Sequence, residues 1–248
     1  MKPTGWYPVY LREMLLFRRK LLKPGYLVSA MLVPLIYLAV FGLGLGKSVR
    51  LNGGNYLTFL IPGLVAMSSM TNSYTWVASS LNLNRLYFKT FQVLVQAPVS
   101  AAGIMLGEVL AGMTKGLFAA LLILATGLFV PGDFRITPFL LTALLVNCFM
   151  FASLGVITGM LAKSHEDTST YNNFFILPMS FFCGTFFPLD RLPAWLKAVV
   201  YIFPLSHTNI VIRKTAPDWE AAASLLVIAA YTLAFLWIGI HLIRRYSE

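Results

Sequence analysis

Charge is the scarcest commodity in this sequence. Asp, Glu, Lys and Arg together make up 11% of its 248 residues, where a soluble domain carries nearer a quarter. The chain is long enough to bury an aqueous core, but so few charges cannot coat a water-facing surface. Lipid must therefore be its main solvent. Acids are rarer still, nine against 19 Lys and Arg. A net charge of +10 would suit a nucleic acid if it were gathered on one face. The basic residues instead flank apolar runs along the whole chain, which excludes nucleic acid as the partner. Cysteine is equally short. Cys148 and Cys183 both lie inside apolar runs. They read as small buried hydrophobes, not as a disulfide framework or metal site.

Catalytic signatures are missing as well. There is no serine elbow and no H-E-x-x-H. The stretch FGLGLGKS, residues 41–48, ends like a P-loop, yet Phe41 holds the first glycine position and no strand precedes it. It reads as a flexible helix end. His165, Glu166 and Asp167 are adjacent, which is no distinctive ligand geometry, and they read as a solvated turn after an apolar run. Nothing here points to an enzyme, and no cofactor or metal is expected in the chain itself.

What is abundant is apolar sequence: 58% hydrophobic residues and a mean hydropathy of +0.75. A spanning helix needs roughly 20 mostly apolar residues. Such runs occur at 26–45, 56–79, 104–130, 138–161, 174–187 and 221–243, which predicts an all-α membrane protein of six spans. The first run is long and lacks a cleavage site, so it reads as a retained helix. The fifth is the shortest. Pro188, Pro193 and Pro204 punctuate the residues after it, which predicts an outer re-entrant or interfacial hairpin. Ahead of the first run, Tyr7, Tyr10, Leu11, Met14, Phe17 and Leu21 recur at helical spacing among basic residues. That pattern predicts an amphipathic helix over residues 1–24 lying in the headgroup region, with Trp6 as an anchor; an unstructured basic tail is the alternative. The basic N-terminal segment places both termini in the cytoplasm.

Polar residues inside the runs are the candidate functional groups. Ser68, Asn72, Thr75 and Ser79 share a helical face, suited to hydrogen bonding between helices or to lining a pathway. Glu108 and Lys115 lie seven residues apart in the third run. Two helical turns put them on nearly one face, about 10 Å apart. Intramembrane charges face protein or water, so the two are either a structural contact or part of a transport path. Gly103/Gly107, Gly112/Gly116 and Gly155/Gly159 keep the four-residue spacing that lets helices approach closely. Residues 85–98 mix Tyr87, Phe88, Phe91 and Leu94 with Arg85, Lys89 and Gln92. This suits a short helix that either docks on a partner or rests on the membrane.

Three stretches give the chain a family resemblance. They are YLTFLIPGLVAMSSMTNSYTWVASS with its Pro62-Gly63 pair, YFKTFQVLVQAPVSAAGIMLGE, and residues 177–213, which contain GTFFP, Leu192-Pro193 and Pro204-Leu205-Ser206-His207. Taken together, the chain resembles the integral-membrane subunits of ABC-2-type exporters, the nodulation lipooligosaccharide and YadH-type permeases among them. The resemblance implies a single transmembrane domain over 1–248 in a bacterial inner membrane. It further implies a homodimer served by two cytoplasmic ATPases, which supply ATP and Mg chemistry, and a lipid-linked, amphipathic or hydrophobic cargo. It assigns ATPase coupling to the segment holding Arg85, Tyr87, Phe88, Lys89, Phe91 and Gln92, although Phe91 and Gln92 stand where many relatives carry an acid. It leaves Asn72, Thr75, Glu108 and Lys115 as pathway or buried polar candidates, and Pro188, Pro193, Pro204 and His207 as the outer hairpin. An ion-coupled secondary transporter and a non-transporting assembly subunit are the competing classes; no inverted repeat favours the former.

Overall fold

The computed structural model describes residues 5–21, 24–45, 50–51, 54–128 and 136–246. The glycine, lysine and serine that end the P-loop-like stretch, and residues 129–130 of the third run, lie outside them. Helices dominate. In chain order they are α1 (Trp6–Leu21), α2 (Pro24–Leu45), α3 (Tyr56–Leu86), α4 (Thr90–Gln96), α5 (Ala101–Leu128), α6 (Pro138–Leu161), α7 (His165–Tyr171), α8 (Leu177–Phe182), α9 (Ala194–Val200), α10 (Pro204–Val211) and α11 (Trp219–Arg244). A two-residue antiparallel ladder, Arg50–Leu51 with Gly54–Asn55, precedes α3. Among the described residues, α5, α6 and α11 are long and apolar enough to cross a membrane. The 31-residue α3 is long enough too, but its serines, threonines and asparagines dilute it.

That polar helix sits at the centre. Its longest contacts are with α5 and α6, and glycine makes them possible. A β-carbon at Gly112 would lie 2.3 Å from Val77 Cγ2, and one at Gly155 would lie 2.7 Å from the Tyr74 carbonyl oxygen. Gly116 and Gly159 face α3 in the same way, against Ser73 and Leu81. Two glycine pairs on different helices thus cradle one helix, and close backbone approach is the packing force available where lipid is as apolar as leucine. In the third pair, Gly107 faces α1, where a β-carbon would meet Val9 Cβ at 2.6 Å, and Gly103 lies against Val99 and the Gly5 backbone just before α1.

Two expectations about local structure change. His165, Glu166 and Asp167 open a helix instead of forming a turn. Ser164 caps it, its hydroxyl accepting the Asp167 N–H at 3.0 Å, and acids are favoured in a first helical turn. The helix runs on through a π turn at Asn172–Ile176 into α8 and stops at Phe182. The apolar run at 174–187 is therefore part helix and part loop. It stops because Gly184 takes φ +82°, left-handed backbone that favours glycine. Beyond it, Pro188 precedes a 3-10 turn, Leu189–Arg191, Pro193 caps α9, and Pro204 opens α10. Each proline stands where its missing N–H is not needed.

Gly155→Ala should lower the thermal midpoint of the detergent-solubilised protein, with a loss of about 1–3 kcal/mol from overpacking against a backbone atom. Gly25→Ala, which meets nothing within 4 Å among the described residues, should leave it unchanged. Equal midpoints for the two variants would refute the cradle.

Candidate functional site

The intramembrane charges do not pair with each other. Lys115 Nζ donates to Glu13 Oε2 at 2.8 Å, and Arg12 Nη2 donates to both Glu13 Oε1 and Glu108 Oε1 at 3.0 Å. The four charges sum to zero. Glu13, Glu108 and Lys115 are each at most 2% exposed. Lys115 also lies 5.1 Å from the Trp76 ring centroid, and Ser80 donates to Glu13 at 3.4 Å. A buried carboxylate or ammonium is tolerable only when paired and hydrogen-bonded, and here α1 brings the partners for α5. Helix α1 runs parallel to the first turns of α5. Val9 packs over Gly107, the Tyr10 hydroxyl bonds Thr114 at 3.3 Å, Glu13 bonds Lys115, and Phe17 meets Phe118 edge-on.

The buried face of α1 is thus Val9, Glu13 and Phe17, while Tyr7 and Leu11 of the expected apolar face are exposed. The demand of Lys115 for a counter-ion turns the helix. Sequence reasoning missed Glu13, although a signal existed: it is the only acid before Glu108.

Asn72 donates to the Ser68 carbonyl at 2.9 Å within α3. Thr75 is exposed and lines two clefts. One, of about 450 Å³, lies between α3 and the α7–π segment and is lined by Tyr74, Ser79, His165, Thr168, Asn172 and Asn173. The other, of about 470 Å³, lies between α3 and α1. A second buried polar residue that sequence reasoning passed over is Asn147. Its amide donates to Ser69 Oγ at 2.7 Å and its oxygen accepts from Thr208 at 2.9 Å. It joins α6, α3 and α10.

In the 85–98 segment, inward and outward residues separate. Arg85 is buried, and its guanidinium donates to the carbonyls of Met160 and Ala162 at the C-terminus of α6, where a cation is favoured. Phe91 is fully buried, edge-on to Tyr246 at 5.1 Å. Gln92 donates to the Arg85 carbonyl at 3.2 Å and to the Tyr246 hydroxyl at 3.1 Å. Outward stand Tyr87 (63% exposed), Phe88 (67%) and Val93 (66%). Lys89, also exposed, turns the chain with φ 54°, a left-handed conformation costing a non-glycine residue about 1 kcal/mol.

At the other end of the bundle, His207 is buried. Its Nε2 donates to the Tyr201 carbonyl at 3.0 Å, so Nδ1 accepts from Ser224 at 3.3 Å. The histidine pins α10 to α11. Arg213 binds three carbonyls, those of Asn209 (2.7 Å), Gly184 (2.9 Å) and Phe59 (3.2 Å). Its guanidinium carbon lies 4.0 Å from the Phe59 ring centroid. Gly63 makes room, since a β-carbon there would lie 2.7 Å from Arg213 Nη2.

Lys115→Met strands Glu13 in the core with Arg12 as its remaining cation. Breaking a buried pair costs roughly 3–5 kcal/mol, so the thermal midpoint should fall. Adding Glu13→Gln should recover most of that loss. A double variant no more stable than the single one would mean that the pair does not hold α1 in place.

Comparison with known proteins agrees with this architecture. The ABC-2 type transporter family model matches residues 9–216. The inner membrane transport permease YadH of Escherichia coli (strain K12) is 30% identical over 224 residues, covering 88% of this chain and 87% of that protein. Nodulation protein J of Rhizobium meliloti (strain 1021) is 29% identical over 97% of this chain and 93% of its own length. Nodulation protein J of Rhizobium leguminosarum bv. viciae is 28% identical over 98% and 96%. An all-helical bundle with membrane-length apolar helices, matched over most of its length, leaves one assignment: the chain belongs to the ABC-2 type transporter family of membrane transport permeases.

Proposed function

We propose that two copies of this chain form the membrane pathway of an ATP-driven exporter, each served by a separate cytoplasmic ABC ATPase that binds ATP and Mg. The cargo is lipid-linked, amphipathic or hydrophobic and leaves the cytoplasm or inner leaflet. The observation that carries the coupling half of this reading is the Tyr87–Phe88 pair. Two large exposed rings stand on a turn flanked by Arg85, Phe91 and Gln92, which are bonded into the bundle. Aromatic anchors over a polar rim are what a protein partner recognises. The cargo half draws on the cleft between α3 and the α7–π segment, where Thr75, Ser79, Thr168 and Asn172 stand beside the Tyr74 ring, since polar groups beside an aromatic face suit an amphiphile.

In this arrangement α2, α3, α5, α6, the α7–α8 unit and α11 are the six spans, and α1 packs along the inner-facing part of α5. Residues 188–212 form the outer hairpin, and both termini are cytoplasmic. The apolar groove lined by Phe41, Phe181, Phe182 and Phe187 faces the second copy, with aromatic packing as its adhesive.

Tyr87→Ala with Phe88→Ala should leave expression and dimerisation intact, weaken co-purification with the ATPase by at least about tenfold, as expected for two interfacial hot spots, and uncouple hydrolysis from transport. Full retention of ATPase binding would remove the turn from this role. Topology is checked separately in a background lacking Cys148 and Cys183. Asp190→Cys should react with an impermeant thiol reagent in intact cells, and Arg245→Cys only after lysis. The reverse pattern would invert the orientation.

A further inference from the structure

The cleft between α1 and α3 has a cationic wall that the transport reading does not use. Its walls carry three cations, Arg19, Lys20 and Lys115, against one carboxylate, Glu13, and Glu13 is engaged by Lys115 and Arg12. Arg19 and Lys20 stand exposed and bring two cationic side chains to the same cleft. Lys20 Nζ rests 4.0 Å from the Trp76 ring centroid. Paired aromatic and basic side chains are the usual furniture of the lipid–water boundary. Along α3 the cleft offers Thr75, Ser79 and Asn84 as hydrogen-bonding groups. The remaining walls are apolar, with Leu16, Leu83 and Phe88 among them. A bare inorganic anion would leave that apolar surface unused, whereas a headgroup with glycerol and its first methylenes would cover it. The volume, about 470 Å³, falls in the range of ordinary small-ligand sites.

We propose that this cleft binds the anionic, phosphate-bearing headgroup of a membrane lipid. Arg19 and Lys20 take the phosphate, the α3 hydroxyls take the glycerol, and Leu16 and Leu83 flank the start of the acyl chains. The bound headgroup bridges α1 to α3 beside the Glu13–Lys115 pair. The site requires only that the protein lies in a membrane and does not depend on cargo or ATPase.

The test is lipid binding to the purified full chain in detergent, read by native mass spectrometry with phosphatidylglycerol and phosphatidylcholine as probes. The wild-type protein should prefer phosphatidylglycerol. Arg19→Gln and Lys20→Gln should each weaken that binding about fivefold, and together about thirtyfold, as expected for cations near an anionic lipid surface. Arg18→Gln, an equally exposed cation outside the cleft lining, should have little effect. Thr75→Leu gives a second reading without changing charge and should also weaken phosphatidylglycerol binding. Unchanged affinity in the Arg19→Gln, Lys20→Gln double variant would overturn the proposal. So would an equal loss with Arg18→Gln, which would indicate unspecific attraction. Displacement of the lipid by an equal concentration of inorganic phosphate would instead identify a free-anion site and overturn the lipid assignment.

Discussion

A lysine ammonium buried in the third long helix of a membrane bundle cannot be left to lipid, and the way Lys115 is satisfied sets the arrangement around it. Its nearest possible counter-ion within α5, Glu108, lies two turns away. The bond goes instead to Glu13, on a helix about a hundred residues earlier in the chain. Once Glu13 turns inward, Arg12 follows and closes on Glu108, and the neutral quartet fixes both the rotation and the height of α1 on α5. Glycine completes the lock, since Val9 can reach the α5 backbone only over Gly107. Electrostatics selects the register of α1 and small residues permit its distance; neither alone would do both.

The same division of labour recurs on α3. This helix carries too many hydroxyls and amides to be a comfortable lipid-facing span, and it is placed at the centre, where α5 and α6 enclose it. Several of its buried polar atoms meet partners on other elements: the Asn82 amide N–H reaches the carbonyls after α6, Tyr74 meets Thr158, and Ser69 accepts from Asn147. Where the helix turns a polar face outward, at Thr75 and Ser79, the two clefts open. Most polarity that would be costly against hydrocarbon is satisfied inside or set beside a cavity; among the described residues, Ser68 Oγ and Asn82 Oδ1 are buried without a hydrogen-bond partner.

Much of this was legible in the sequence, because its signals are local. Apolar run length located α5, α6 and α11, and glycine spacing located the close contacts, though not which helix each pair would face. The less legible features depend on partners distant in sequence. Glu108 and Lys115 share a helix face, which suggests a structural contact or a path, but nothing in the spacing points to their partners on α1. Periodicity read the face of α1 from its hydrophobic residues and so left out Glu13, which is buried for its charge. Arg85, Phe91 and Gln92 belong by composition with Tyr87 and Phe88, yet only contacts with Met160, Ala162 and Tyr246 draw them inward. Arg213 carries no sequence signal at all, because its partners are carbonyls, which every residue possesses.

That inward set gives the α3–α4 turn a mechanical character. Gln92 holds α4 to the last carbonyls of α3 and to the C-terminal Tyr246, and Arg85 holds the same end of α3 to the end of α6. A force applied at Tyr87 and Phe88 therefore cannot be absorbed by a loose loop. Lys89 is the one strained backbone joint between them and α4, and packed elements respond by switching between discrete arrangements instead of deforming smoothly. Displacement of the turn would pass into α3, α6 and the tail of α11 together. Of these, α3 carries Thr75 and Ser79 on its exposed face, so a shift of that helix changes the shape of both clefts at once. The rings that face outward directly follow the C-terminus of α3, and the hydroxyls that line the cavities stand about two to three turns back along the same helix.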